Sequence, residues 1–247
     1  MAAVGIGVSL RRFRVSERME IIPGGAALLT DDNVLVVADM HLGCEAALEY
    51  EGLSIPRVQT KRIENYMKQV VQSIGPRRVI VAGDLKHNFS RNLTQEWRDV
   101  SRFVGVLRGL APLEVIKGNH DNYLGAILAG FDVPLRKEVT AGGVRILHGH
   151  LGEPKPVPTV IGHIHPSVRL KDDIGVSVKD HCFLHHEDLQ MLVLPALSLV
   201  ANGLDVMNTR SDSSSPLLPE DGLSGFHPVL FSGDRPLSFP EVSRLRP

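Results

Sequence analysis

The chain has 247 residues, of which 43% are hydrophobic and 22% charged, with a formal net charge of −1. That length accommodates one large domain or two small ones; the apolar content excludes disorder of the whole chain, and the near-neutral charge excludes a strongly basic nucleic-acid-coating protein. Two cysteines, Cys44 and Cys182, are too few for a disulfide framework and fit a reducing cytoplasm, whereas eleven histidines stand out beside three tyrosines and one tryptophan.

Residues 1–18 carry their charges after an apolar stretch, the reverse of a secretory signal; they read as a non-essential extension, with Met19 an alternative start. Residues 33–38 (NVLVVA) are a β-branched apolar run without alternation, the pattern of a strand buried on both faces. Residues 56–74 then place Ile63, Met67, Val70, Val71 and Ile74 at helical spacing, between Pro56 and Gly75. A second apolar run (78–82) precedes a second helical pattern (Trp97, Val100, Val104, Leu107), for which Asn92 and Gln95 form a plausible capping pair. Further runs follow at 113–116, 144–147 and 159–161. The β-α-β-α-β order predicts an α/β fold with a largely parallel central sheet.

From about residue 133 the runs shorten and turn signals multiply (Gly142-Gly143, Lys171-Asp172-Asp173, His185 to Asp188), predicting mostly antiparallel hairpins. The apolar stretch 191–203 is short of the ~20 residues that a membrane span needs, and Pro195 interrupts it. Residues 208–225, rich in Ser, Pro, Gly and Asp, read as a long loop. No internal repeat and no second core emerges, so the expectation is a single domain over 1–247, with no membrane contact and a cytoplasmic location.

Each of the five buried-strand candidates ends in a polar cluster: Asp39-Met40-His41, Gly83-Asp84-Leu85-Lys86-His87, Gly118-Asn119-His120-Asp121, His148-Gly149-His150 and Gly162-His163-Ile164-His165. Any one of them alone reads as a turn, a helix cap or a surface pair. Together they place seven of the eleven histidines at strand ends, and ligands of open α/β sheets bind beyond the carboxyl ends of the strands. Carboxylate, amide and neutral imidazole donors suit Mn, Fe, Zn or Ni. No cysteine belongs to a cluster, which argues against a structural thiolate zinc site. Seven or more donors exceed one tetrahedral ion and fit two ions ~3.5–4 Å apart sharing a carboxylate, an arrangement suited to phosphoryl displacement.

In this order, DMH, GDLKH, GNHD, HGH and GHIH resemble the signature of the calcineurin-like metallophosphoesterase superfamily. The resemblance implies a layered α-β-β-α sandwich, two mixed sheets flanked by helices. It also implies a hydrolase acting on phosphate esters through a metal-activated hydroxide, with two divalent ions, manganese foremost. By the same resemblance Asp39, His41 and His165 hold one metal, Asn119, His148 and His163 the other, and Asp84 bridges them. His120 is then the catalytic imidazole, steadied by Asp121, and His87 sits at the pocket rim, positioning a diester. His148 and His150 compete for the fourth-motif role; His148, directly after its strand, is preferred and His150 is the second candidate. Within the superfamily the chain looks closest to archaeal phosphoesterases related to the SbcD-type repair nuclease. The histidine three residues after Asp84 and the segment 41–59 carry that likeness.

The expected substrate is a phosphodiester, with nucleic acid or a nucleotide as candidates; the oligomeric state is left open. Residues 51–110 hold eleven basic against five acidic side chains, and Arg57, Lys61, Arg91 and Arg98 could steer a polyanion. The competing readings are a phosphatase or diesterase of small nucleotides and a non-catalytic interaction scaffold on the same fold.

Overall fold

The computed structural model describes residues 10–53, 55–90, 94–171 (of residue 171 the backbone alone), 177–198, 200–208 and 215–245. The first sheet runs in chain order: β1 (Phe13–Arg14), β2 (Met19–Ile22), β3 (Ala26–Leu29), β4 (Val34–Val37), β5 (Arg78–Ala82), β6 (Leu113–Ile116) and β7 (Leu135–Arg136). β1 to β4 pair antiparallel, and β4 to β7 pair parallel. The parallel half is made by crossovers: α1 (Cys44–Tyr50) and α2 (Gln59–Ile74) lead to β5, α3 (Thr94–Arg108) to β6, and α4 (Leu124–Ala129) to β7.

The chain then builds β8 (Glu138–Ala141), β9 (Val144–Leu147) and β10 (Thr159–Ile161), leaves for the hairpin β11 (Pro166–Lys171) and β12 (Ser177–His181), and returns as β13 (Phe183–His186) and β14 (Met191–Val193). β15 (Leu204–Asp205) joins the hairpin; β16 (His227–Ser232), β17 (Arg235–Ser238) and α5 (Val242–Leu245) complete the order. The second sheet is ordered β17-β16-β13-β14-β10-β9-β8, and β12-β11-β15 form a third, small sheet.

The unbroken apolar runs follow from burial on both faces. Leu35, Val37, Val79 and Val81 pack under α2 and α3, against Met67, Val70, Phe103 and Val104. Their neighbours Val34, Val36, Ile80 and Ala82 face Val144, Ile146, Val160 and Leu192 between the two large sheets. On the far side of the second sheet, Leu147, Ile161 and Val193 meet Val168, Leu217, Phe226 and Val242. That outer layer, as far as it is described, is built from the small sheet, the 215–226 segment and the short α5.

All five predicted runs are strands, and the two predicted helices are α2 and α3. Trp97 is 40% exposed and stands off the buried face of α3. The single central sheet expected from the strand pattern is two sheets, as the resemblance implies, because β9 pairs with β8 and β10, and β10 with β9 and β14, instead of with β6. Those same parallel pairs interrupt the expected antiparallel second half.

The expected extension is corrected at its end. Phe13 and Arg14 pair with Ile21 and Glu20, so they belong to the first sheet; residues 1–9 lie outside the described part. The expected loop 208–225 is packed over its second half: Leu217 and Leu223 are buried, and the Ser215 hydroxyl donates to the Gly149 carbonyl at 2.6 Å. Residues 209–214, the turn residues Asp172 and Asp173, and the cap candidate Asn92 lie outside the described residues. No helix among the described residues is long and apolar enough to cross a membrane.

Candidate metal centre

The polar ends of β4, β5 and β6 from one sheet, and of β9 and β10 from the other, meet at one edge of the sandwich. Asp39, His41, Asp84 and His165 bring one donor atom each within 4.8 Å of one another, and so do Asp84, His148 and His163. His41 Nε2 lies 3.3 Å from His165 Nε2, His165 Nε2 3.2 Å from Asp39 Oδ1, and His41 Nε2 3.8 Å from Asp84 Oδ2. On the other side His148 Nε2 is 3.4 Å from Asp84 Oδ2 and 3.0 Å from Asn119 Oδ1. Asp84 is common to both sets. His150 belongs to neither; its ring packs 5.1 Å from that of His148 and 5.9 Å from that of His163.

The local backbone is unusual where the donors sit. Of the nine non-glycine residues with positive φ among the described residues, five are candidate ligands: Asp39, His41, Asp84, His163 and His165. Left-handed backbone costs an L-residue roughly 1–2 kcal/mol, and such strain collects at functional sites. Two glycines make room for the carboxylates: a Cβ on Gly118 would overlap Asp84, and one on Gly162 would overlap Asp39.

Backbone and carbonyl bonds then aim the donors. Asp84 Oδ1 accepts the His120 N–H at 2.9 Å, and Asp39 Oδ2 accepts the His163 N–H at 2.9 Å. His148 Nδ1–H donates to the Ala82 carbonyl at 2.9 Å, which presents Nε2 to the centre.

Asp121 takes a different part from the expected one. Its carboxylate accepts the backbone N–H groups of Asp84 (2.9 Å), Lys86 (3.2 Å) and Gly118 (2.8 Å), so it ties the β5 and β6 loops together and does not hold the His120 ring. Burial and the nearby Asp84 push its carboxyl up to about 6. The His120 ring is anchored instead through Nδ1–H to the His87 carbonyl. Its Nε2 lies 4.0 Å from Asp84 Oδ2. His87 stacks on it, ring centroids 5.6 Å apart.

The field of the site favours positive charge. Burial alone would raise Asp39, but His165 and His148 hold its carboxyl below the usual range; Asp84 is lowered in the same way, chiefly by His148 against burial. Burial opposes a charge on His148, yet the Asp84 and Asp39 carboxylates push it up to about 9. His165 is raised by Asp39, also against burial. Burial takes His41 down to about 3 and His150 down to about 4, and it lowers His87 as well.

The donors fit a bound cation on a further count. Asp39 Oδ1 is fully buried and accepts no hydrogen bond among the described residues, although His165 Nε2 is beside it. Such an oxygen is costly unless something electropositive meets it.

A cavity of about 250 Å³ opens over His41, His87, His120 and His165, with Cys44, Leu48, Val200 and Asn202 in its walls. Sequence reading missed the residue that joins these walls. Gln59, at the start of α2 and 1% exposed, donates from Nε2 to the carbonyls of Met40 (3.3 Å) and His41 (3.1 Å), and its Oε1 accepts the Ser198 hydroxyl at 2.9 Å. No local motif marks it, since its partners are remote in sequence. Gln59→Leu strands these buried polar groups; the expected loss is about 2–3 kcal/mol. That corresponds to a Tm lower by roughly 4–12 °C in thermal unfolding.

Of the four basic residues expected to steer a polyanion, Arg57 is paired with Glu49, Lys61 and Arg98 are exposed, and Arg91 lies outside the described residues.

A model of calcineurin-like phosphoesterases matches residues 33–180, the stretch that holds all the candidate ligands. Among solved structures, the nuclease MPE of Pseudomonas putida aligns with a TM-score of 0.62 and 18% identity, covering 90% of this chain and 96% of that one. At that identity the likeness is one of fold. Yfce, a phosphoesterase from E. coli, aligns with a TM-score of 0.40 and 16% identity, over 68% of this chain and 83% of that one. No curated protein matches the chain.

Proposed function

This chain belongs to the calcineurin-like phosphoesterase family and is a hydrolase acting on ester bonds; we propose that it is a dinuclear metal-dependent phosphodiesterase. The observation that carries the reading is the pair of donor sets that share Asp84. In it Asp39, His41 and His165 would hold one divalent ion and Asn119, His148 and His163 the other, with Asp84 available to both. The oxygen and imidazole donors suit manganese, with Fe, Zn or Ni as alternatives. Two such ions supply Lewis acidity to a phosphoryl oxygen and acidity to water.

The chain's own groups do the rest. His120, fixed at Nδ1–H by the His87 carbonyl, directs Nε2 toward the centre; as the doubly protonated imidazolium it gives the Nε2 proton to the leaving oxygen and is left as the neutral Nδ1–H ring. His87, stacked on His120 at the cavity wall, orients the ester. Nucleotides and nucleic acid are the proposed diesters, on the strength of the basic excess over 51–110. The relation to SbcD-type enzymes rests on His87 and the segment 41–59. A single domain is proposed because both large sheets furnish ligands, and a cytoplasmic setting because Cys44 and Cys182 are both free.

The test is turnover with manganese on an aryl phosphodiester, the matching monoester and single-stranded DNA. Diester hydrolysis faster than monoester hydrolysis, abolished by chelation, is expected. A faster monoester rate favours the small-nucleotide phosphatase, and no turnover with two ions bound favours the scaffold. Manganese at a hundred times its Kd should also stabilise the fold by ~2.7 kcal/mol. A melting curve unmoved by metal would contradict binding to the folded state.

A further inference from the structure

Lys86 and Glu96 form an ion pair with Nζ to Oε2 at 3.5 Å, and both side chains are fully buried. An uncompensated charge there would be strongly destabilising, and even a paired one is expensive to desolvate compared with an apolar pair of similar size. Packing therefore does not account for the pair, but its other bonds do.

Glu96 Oε1, in the first turn of α3, accepts two consecutive backbone N–H groups, those of His87 at 3.0 Å and Asn88 at 2.6 Å. Lys86 Nζ donates to the Asn88 carbonyl. The N–H of Asn88 and the C=O of His87 belong to one planar peptide and point in opposite directions. The carboxylate thus grips one side of the peptide whose other side receives His120 Nδ1–H.

We infer that Glu96, held by Lys86, is a positioning residue for His120, acting through the His87–Asn88 peptide to fix the ring's orientation and its Nδ1–H tautomer. Glu96 is in neither donor set and does not line the cavity. The inference deepens the phosphodiesterase reading and rests on it for the role of His120, although the ring's tautomer is measurable without any turnover.

Glu96→Gln keeps size and an acceptor oxygen but removes the charge. It is expected to lower kcat about 10- to 100-fold, the order of loss for misplacing a catalytic group, with KM and metal content unchanged. In a His120→Ala background the same substitution should cost nothing further, because both act through one ring. The double variant Lys86→Met/Glu96→Gln, which removes both charges together, should recover Tm while kcat stays low. Additive losses in the His120→Ala background, or a double variant that recovers Tm and kcat together, would show a structural pair only and overturn the inference.

Nitrogen-15 NMR of the imidazole separates this from failure of the functional reading. In its neutral form His120 should carry its proton at Nδ1 in the parent protein and populate the other tautomer in Glu96→Gln, whether or not any ester is hydrolysed. An unchanged tautomer would also overturn it.

Discussion

Asp84→Asn is expected to lower bound manganese from two ions per chain to one or none and to remove turnover. Asp84 Oδ2 is the oxygen nearest both donor sets, 3.8 Å from His41 Nε2 and 3.4 Å from His148 Nε2. Its other oxygen is occupied by the His120 backbone N–H at 2.9 Å. An amide of the same shape could still accept that bond through its own oxygen, so the loop is expected to keep its course. The amide would then turn its NH2 toward the cations, and it carries no charge to screen their mutual repulsion.

Loss of an outer partner of a ligand already costs 10- to 100-fold in metal affinity as a rough guide, and loss of the shared ligand should exceed that. Removal of one preorganised electrostatic group lowers kcat by about 10²–10³-fold, and the loss here should be at least as large. Elemental analysis after gel filtration, with circular dichroism to confirm the fold, reads the result. Two ions bound to Asp84→Asn would remove Asp84 from the bridging position.

His120→Ala should show the opposite pattern, with metal content kept and turnover lost. The ring is not among the donors shared around Asp84 by either ligand set. It stands 4.8 Å from His41, edge to face, at the cavity side of the centre. Its backbone N–H, which steadies Asp84, survives the substitution. General acid catalysis by a positioned group is worth about 10²–10⁴-fold, so kcat should fall by that order. The loss should shrink for an ester whose leaving group needs no proton, such as a p-nitrophenolate. Equal turnover of parent and variant on an alkyl diester would take His120 out of the reaction.

Much of the centre was legible in the chain because its logic is local. Burial on both faces makes β4, β5, β6, β9 and β10 read as short apolar runs, and the donors follow each run within a few residues. Pairing is not local. Nothing in VRIL or TVI says that these strands leave the first sheet for a second, and the division emerges only from which strand lies beside which. The family resemblance makes Asp121 the partner of His120. In space its carboxylate turns back to accept the backbone N–H groups of Asp84, Lys86 and Gly118. Gln59 and Glu96 carry no motif, since both act on backbone groups of distant segments. The left-handed backbone at five of the ligands has no sequence signature beyond a polar residue placed directly after a buried strand.

In the proposed centre two cations would share Asp84 at the edge where the sheets meet. A crystal grown with manganese, with anomalous scattering used to locate the metal, tests it most directly. The expected map shows two peaks ~3.5–4 Å apart, one against Asp39, His41 and His165, the other against Asn119, His148 and His163, with the Asp84 carboxylate touching both. A lone peak, or none, with the Asp84 side chain bonded only to protein, would contradict the account.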